Sequence, residues 1–399
     1  MAMVAAALRR VLLIGLIASG VIAARPAAAL DAEHRALGEE TLDRGIAFLR
    51  QTQNPDGSWT PQTGPAVTGL IVAAMLDQPD IDPNDPAVAK ALTYILDRVQ
   101  PDGSIRDGEN GILANYNTAI CLSALSRVRG NPDVAHAIRG AQLFLKDLQW
   151  SVGDTAPDGT AVTREHPYFG GAGYGRHGRP DMSNTQIMLQ GLHDSGVSSE
   201  DPAYARAVAF IARCQGTPGN TYFPKGTIVE DGGIIYATSI NQEHPDIPVS
   251  YANPDLVDEA RAGRPVSGLR GYGSVTYAGF KSFLYADLDR DDPRVVGALA
   301  WIQNNYTLDQ NPGMPEAVKN QGLFYYYMTH ARALNAWGSP TLDLADGDDP
   351  INWANNLIAK LASLQQTDGS FVNAEPRWME DDPGLVTAYA LIALNEAIR

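Results

Sequence analysis

Carboxylates that sit side by side next to apolar segments are the residues of this chain best suited to move a proton. Met379-Glu380-Asp381-Asp382 gathers three acids just ahead of an apolar stretch, and Asp181 stands ahead of another. Neighbouring carboxyls shielded from water raise one another's pKa, so one of them can keep its proton at neutral pH and serve as a general acid. Glu380, Asp382 and Asp181 are therefore the candidate catalytic residues. Each also stands where an acid would cap a helix, an ordinary structural use. A further acidic set, Asp346-Gly347-Asp348-Asp349, runs into Pro350 and is accounted for by capping of the helix that follows.

Aromatic rings supply the second kind of chemistry. Phe324-Tyr325-Tyr326-Tyr327, with His330 close behind, is a dense aromatic run. Ring faces hold a polyene or steady a carbocation, or else simply fill a core. Of four consecutive helical residues at most two face one direction, so part of this run packs between helices whatever the function. His330 stands alone and reads as a buried, hydrogen-bonded core histidine. The two cysteines, Cys121 and Cys214, show no CxxC or Cys/His spacing, so neither zinc nor a disulfide framework is expected. No cofactor and no metal are implied.

These residues need elements to hold them. Six segments follow one pattern, an amphipathic helix with a Gln near its end: Thr41–Gln53, Pro86–Gln100, Pro132–Gln149, Pro202–Gln215, Pro293–Gln303 and Ile351–Gln365. Val88, Leu92, Ile95 and Val99 keep helical spacing in the second. Asp-Pro and Asn-Pro starts suit a capped first turn, and Pro-Asp-Gly or Thr-Asp-Gly turns follow. Each is succeeded by a nearly uncharged helix that aligns on a threonine: Thr68, Thr118, Thr185, Thr276 and Thr387, with Tyr327 taking that place in the fifth copy. A helix apolar on every side is buried on every side. Six such hairpins close a ring without a terminal repeat left to cap. The expected fold is an all-α (α/α)6 toroid over residues 30–399, amphipathic outside and apolar inside.

The inner helices all begin on one rim, where their free N–H groups favour an anionic or electron-rich group. Asp181, Glu380 and Asp382 fall on that rim. The longest hairpin loops, at about 150–181 and 216–270, carry Tyr168, Tyr174, Arg176, His177, Asp231 and Tyr236, with Tyr272 at the end of the second. So aromatic a composition does not suit a solvated linker. These loops are expected to pack over the ring mouth as a lid, with Tyr174, Asp231 and Tyr272 beside Tyr325, Tyr326, Tyr327 and His330 at the cavity.

Residues 1–29 stand apart. Arg9 and Arg10 precede an apolar run from Val11 to Ala24, and Ala27-Ala28-Ala29 offers a cleavage site, the order of a secretory signal. The run is too short to span a bilayer comfortably. The chain of 399 residues has 44% hydrophobic residues and a net charge of −16 without a dense basic cluster. Nucleic-acid binding and attachment to anionic lipid are thereby disfavoured. The reading is of an exported periplasmic or extracellular protein.

Gly45-Ile46-Ala47-Phe48-Leu49-Arg50-Gln51-Thr52-Gln53 followed by Asp56-Gly57-Ser58-Trp59 resembles the QW repeat of triterpene cyclases, and Gln365-Gln366-Thr367-Asp368-Gly369-Ser370-Phe371 is a second copy. Over nearly its whole length the chain resembles the prenyltransferase and squalene-cyclase repeat superfamily, closest to an exported single-toroid bacterial group. The resemblance implies a central cavity for an apolar or isoprenoid-type ligand, with possible proton-initiated cyclisation or isomerisation. The class II cyclase DxDD set belongs at the start of an inner helix; Asp346–Asp349 lies ahead of an outer one, and Met379–Asp382 lacks the first Asp. The prenyltransferase Asp, Cys and His zinc ligands and the thioester signature of complement-type toroids are missing. A polysaccharide lyase or hydrolase using Asp181 and Glu380 is one alternative, requiring carboxyls roughly 5–10 Å apart. A non-catalytic envelope interaction scaffold is the other. Oligomeric state is not legible.

Overall fold

The computed structural model describes residues 30–399 apart from 109, 110, 112, 176, 177 and 348. The leader segment 1–29, Arg176, His177 and Asp348 of the Asp346–Asp349 set lie outside the described residues.

The chain forms helical hairpins in sequence. The outer members are α1 (Ala32–Thr52), α3 (Pro86–Leu96), α5 (Pro132–Leu148), α7 (Pro202–Cys214), α10 (Pro293–Asn305) and α12 (Trp353–Leu364). The inner members are α2 (Ala66–Leu76), α4 (Ala114–Leu125), α6 (Met182–Asp194), α9 (Gly273–Tyr285), α11 (Leu323–Trp337) and α13 (Pro383–Ile398). A short helix α8 (Pro254–Arg261) interrupts the loop between α7 and α9. The inner helices touch in the order α2, α4, α6, α9, α11, α13 and back to α2, while α12 packs on α1. The ring is closed, and the fold is an all-α toroid.

Local chemistry explains the starts. Asp85, Asn131, Asp201 and Asp292 accept from first-turn N–H groups of α3, α5, α7 and α10, each with Pro in the first turn. The sixth outer helix departs from expectation. Asn352, not Asp349, caps α12 by accepting from Asn355 N–H at 2.9 Å. The acidic stretch instead joins two short antiparallel strands, β1 (Thr341–Leu342) and β2 (Ile351–Asn352). It links the end of α11 to the start of α12, at the far end of the ring from where inner helices begin.

Two recurring side chains stitch the repeats together. Thr68, Thr118, Thr185, Thr276 and Thr387 each accept, at 2.9–3.0 Å, the N–H of the loop residue that follows a turn: Trp59, Ile105, Ala172, Ile234 and Phe371. Tyr327 replaces that bond by donating to the Leu308 carbonyl at 2.6 Å. The terminal glutamines reach sideways: Gln53, Gln149, Gln215 and Gln365 donate to first-turn or mid-helix carbonyls of the next outer helix, Ala87, Ala203, Arg294 and Thr41. The last of these crosses the seam between C- and N-terminal repeats.

The long loops are walls rather than flaps. Residues 216–270 bury Ile228, Ile234, Ile235, Ala237, Val249 and Ala252 in the main core. Tyr168 and Phe169 form a separate small core with Trp150, Ala156 and Val162. Asp231 is not at the cavity. It is a turn aspartate that accepts from Gly233 N–H at 2.9 Å, as Asp56, Asp102 and Asp368 do two residues along. Its turn lies against α10, where the Cβ of any residue other than glycine at position 232 would strike the Gly297 carbonyl.

Candidate functional site

A cavity of about 220 Å³ opens where the inner helices begin. The aligning threonines show why these residues line it. On a helix, residues four apart share a face. Two positions before the aligning residue stand Tyr116, Ser183, Ser274, Tyr325 and Leu385, all on the cavity wall. Two positions after stand Ile187 and Tyr389, at the same wall, and Leu70 and Ile120, around a smaller void deeper along the axis. Each threonine thus faces its own hairpin loop and the residues flanking it face the axis. The Tyr116 and Tyr389 hydroxyls meet at 2.8 Å and separate the two spaces.

Glu380 is the acid of this cavity. It is 1% exposed and lines the wall. Its carboxyl caps not its own helix but the neighbouring one, accepting from the N–H groups of Phe324 at 3.2 Å and Tyr325 at 2.8 Å, and from Asn373 Nδ2 at 2.7 Å. Burial pushes the carboxyl up to about 7, against the opposing pull of those hydrogen bonds. Asp382 does not share the task. It caps α13 through Leu385 N–H at 2.8 Å and accepts from Thr60 Oγ1 at 3.0 Å, and it is not part of the cavity wall. The expected carboxyl pair is replaced by one buried acid with a polar clamp.

Asp181 is wholly buried one layer behind the wall. It caps α6 through Asn184 N–H at 2.9 Å and lies 3.9 Å from Arg179. Burial raises its pKa despite Arg179 and Asn184, and Tyr236 reaches it from the wall, with Tyr174 beyond. Tyr272 is 2% exposed and faces the cavity, and its hydroxyl has no hydrogen-bond partner among the described residues.

The aromatic run divides as helical geometry demands. Only Tyr325 reaches the cavity. Tyr326 donates outward to the Thr307 carbonyl at 2.8 Å and Tyr327 to that of Leu308. His330 is also turned away from the cavity, packed among Tyr277, Tyr306, Tyr326 and Trp353. It is buried as expected but not hydrogen-bonded: neither ring nitrogen has a partner among the described residues, and burial lowers its pKa to about 3, so it is a neutral core residue. Cys121 and Cys214 are buried and unpaired.

The mouth carries residues that the sequence did not single out. Leu113, Trp378 and Met379 line it with φ of 62°, 58° and 64°, and Thr60 beside Asp382 has φ 47°. Left-handed backbone in bulky residues is strained and gathers at working sites. Gly322, at φ 67°, leaves room for the Trp378 ring, which a Cβ there would meet at 3.2 Å. Arg377 stacks over Tyr251 and Trp378 at 4.8 and 4.6 Å from the ring centroids. The repeat alignment could have identified Tyr116 and Tyr389; nothing in local sequence marks Trp378.

No protein-family model matches the chain, and no curated protein matches it. Among solved structures it is similar to D-mannose isomerase, at 12% identity and a TM-score of 0.55 over 92% of this chain and 99% of the other. It is similar to a protein from Actinoplanes, at 16% identity and a TM-score of 0.50 over 91% and 100%. A type II terpene cyclase from Scytonema in complex with geranylgeranyl dihydroxybenzoate aligns over 92% and 98% at 13% identity, with a TM-score of 0.48. At such identities the likeness speaks for the fold.

Proposed function

We propose that the protein is an exported toroid that binds an apolar, isoprenoid-type molecule in its central cavity and transfers a proton to or from it through Glu380. The observation that carries this reading is Glu380, the one carboxyl among the described residues of the wall, pushed up to about 7 and set among mainly aromatic and aliphatic side chains. Such an acid is divided between its two protonation states near neutral pH, the condition for general acid–base work. Protonation of a double bond leaves a carbocation, and Tyr116, Tyr325, Tyr389 and Trp378 offer ring faces to it. At about 220 Å³ the cavity falls below the roughly 300–1,000 Å³ of common ligand pockets, which suits a short prenyl chain rather than a triterpene.

The glycan reading shares its fold with D-mannose isomerase, but the wall does not favour it. A sugar needs convergent polar groups, and here the Tyr116 and Tyr389 hydroxyls bind each other while Asp181 stays behind Tyr236. Export rests on the Arg9–Ala29 segment, and N-terminal sequencing of the mature protein would show cleavage near Ala29. Among the described residues no helix is long and apolar enough to cross a membrane.

The test incubates purified mature protein with short polyprenes and analyses bound and converted lipid by mass spectrometry. Binding is expected in wild type and in Glu380→Gln, with conversion lost in the variant by at least about 100-fold, the lower range for a general acid. Absence of bound lipid and product in wild type would overturn the reading.

A further inference from the structure

Lys281 is fully buried between inner helices α6 and α9, behind the cavity wall. A buried amine is costly unless its hydrogens are matched. Lys281 Nζ donates to Gln186 Oε1 at 2.7 Å and to Gln190 Oε1 at 2.5 Å, and it has no carboxylate within ion-pair distance among the described residues. Burial lowers its pKa well below the usual lysine value. Two amide oxygens meet its hydrogens, with the Tyr285 ring face 5.3 Å from Nζ.

That match has a consequence at the cavity. An amide whose oxygen is held by Lys281 must turn its NH2 the other way. Gln186 Nε2 donates to the Tyr325 hydroxyl oxygen at 2.7 Å. Gln190 does the same on its own side, donating to Asp194 Oδ1 at 2.7 Å. With its oxygen already accepting, Tyr325 has its proton left to give, and Ser183 beside it and the cavity are where that proton can point. Tyr325 N–H, at the other end of the residue, is already fixed by Glu380.

We propose that Lys281 is a positioning residue that, through Gln186, makes Tyr325 a hydrogen-bond donor into the cavity, so that the preferred ligand is an apolar molecule bearing one acceptor oxygen, such as a carbonyl or ether. The inference rests on the cavity being a ligand site and adds the chemical class of what it takes. It also assigns purpose to a buried lysine that the proton transfer by Glu380 does not use.

The probes are a short prenyl ketone and the hydrocarbon of the same skeleton, measured by calorimetry on the mature protein, with the carbonyl stretch of the bound ketone read by infrared difference spectroscopy. Wild type should bind the ketone about fivefold more tightly than the hydrocarbon, the size of one net hydrogen bond, and should lower its carbonyl frequency. Tyr325→Phe should remove both effects. Q186E places a carboxylate that pairs with Lys281 and accepts from Tyr325, so it should remove both effects while preserving the fold. Lys281→Met, which frees the amide to turn, should reduce the preference and broaden the carbonyl band; if that variant does not fold, Q186E carries the decision. Binding of neither probe to wild type would overturn the cavity reading and this inference with it. Equal binding of both to wild type, or an undiminished preference in Q186E, would overturn this inference and leave the cavity reading standing.

Discussion

Where the inner helices begin, the ring has an apolar, tyrosine-lined cavity, strained backbone at Leu113, Trp378 and Met379, and two carboxyls raised by burial, Glu380 on the wall and Asp181 behind it. Where they end, ion pairs close it. There Arg127 grips Asp77 with two hydrogen bonds at 2.9 and 3.0 Å and lies 3.8 Å from Asp194. Arg399 pairs with Asp77 at 2.6 Å and with Glu396 at 3.2 Å, and Ser123 donates to Asp194. Burial would raise Asp194, but hydrogen bonding from His193 and the charges of Arg332 and Arg127 hold it well below the usual carboxylate range. Cations at helix C-termini also complement the negative dipole ends gathered there. The difference teaches that a closed helical ring can concentrate its stabilising contacts at one end and keep the other suited to a ligand.

The most severe way to break this contrast is Arg127→Met. Removing one member of a buried ion network leaves Asp77 and Asp194 under-compensated and should destabilise by about 3–5 kcal/mol, read by chemical denaturation. A loss below 1 kcal/mol would mean that the closed end does not carry the ring.

The two ends should also respond to pH with opposite signs. Glu380 has a folded pKa raised to about 7 from 4.5, so its contribution is full below 4.5 and is lost as pH rises through 7. The expected fall across that window is about 3 kcal/mol. Asp194 is depressed, so its contribution is full above the ordinary carboxylate pKa and is lost as pH drops below it. Glu380→Gln should flatten the stability curve between pH 4.5 and 7 and leave acid unfolding intact. A curve with unchanged slope in that variant would remove Glu380 as the titrating group.

A smaller change tests the boundary between the two spaces. Tyr389→Phe strands the Tyr116 hydroxyl in apolar surroundings and should destabilise by about 1–2 kcal/mol, with calorimetric melting as the measure. The least destabilising change should be Trp378→Gly. It relieves a left-handed tryptophan, so stability should stay within about 1 kcal/mol of wild type, while binding of a hydrophobic dye at the mouth weakens. Strong destabilisation would show Trp378 to be a packing residue rather than part of a ligand mouth.

Glu380 was legible because it is an acid immediately ahead of an apolar helix. Its use was not, since it caps α11 from the loop before α13, a contact between residues 55 and 56 positions apart in the chain. Asp231 looked like a lid residue because its loop is long and aromatic. Its Asp-Gly turn was in fact the same local device as Asp56-Gly57 and Asp368-Gly369, which outweighs the composition of the loop around it.

By itself the sequence determined the six hairpins, the outer and inner roles of their helices, and the threonine that sets their common register, because these follow from periodicity, capping and turn chemistry within short stretches. Only the tertiary structure decided which side of each inner helix meets the cavity. An inner helix is apolar around its whole circumference, so its hydrophobic pattern has no direction to report. Closure of the ring supplied that direction, turning Tyr325 to the axis, Tyr326, Tyr327 and His330 away from it, and Lys281 onto two glutamines.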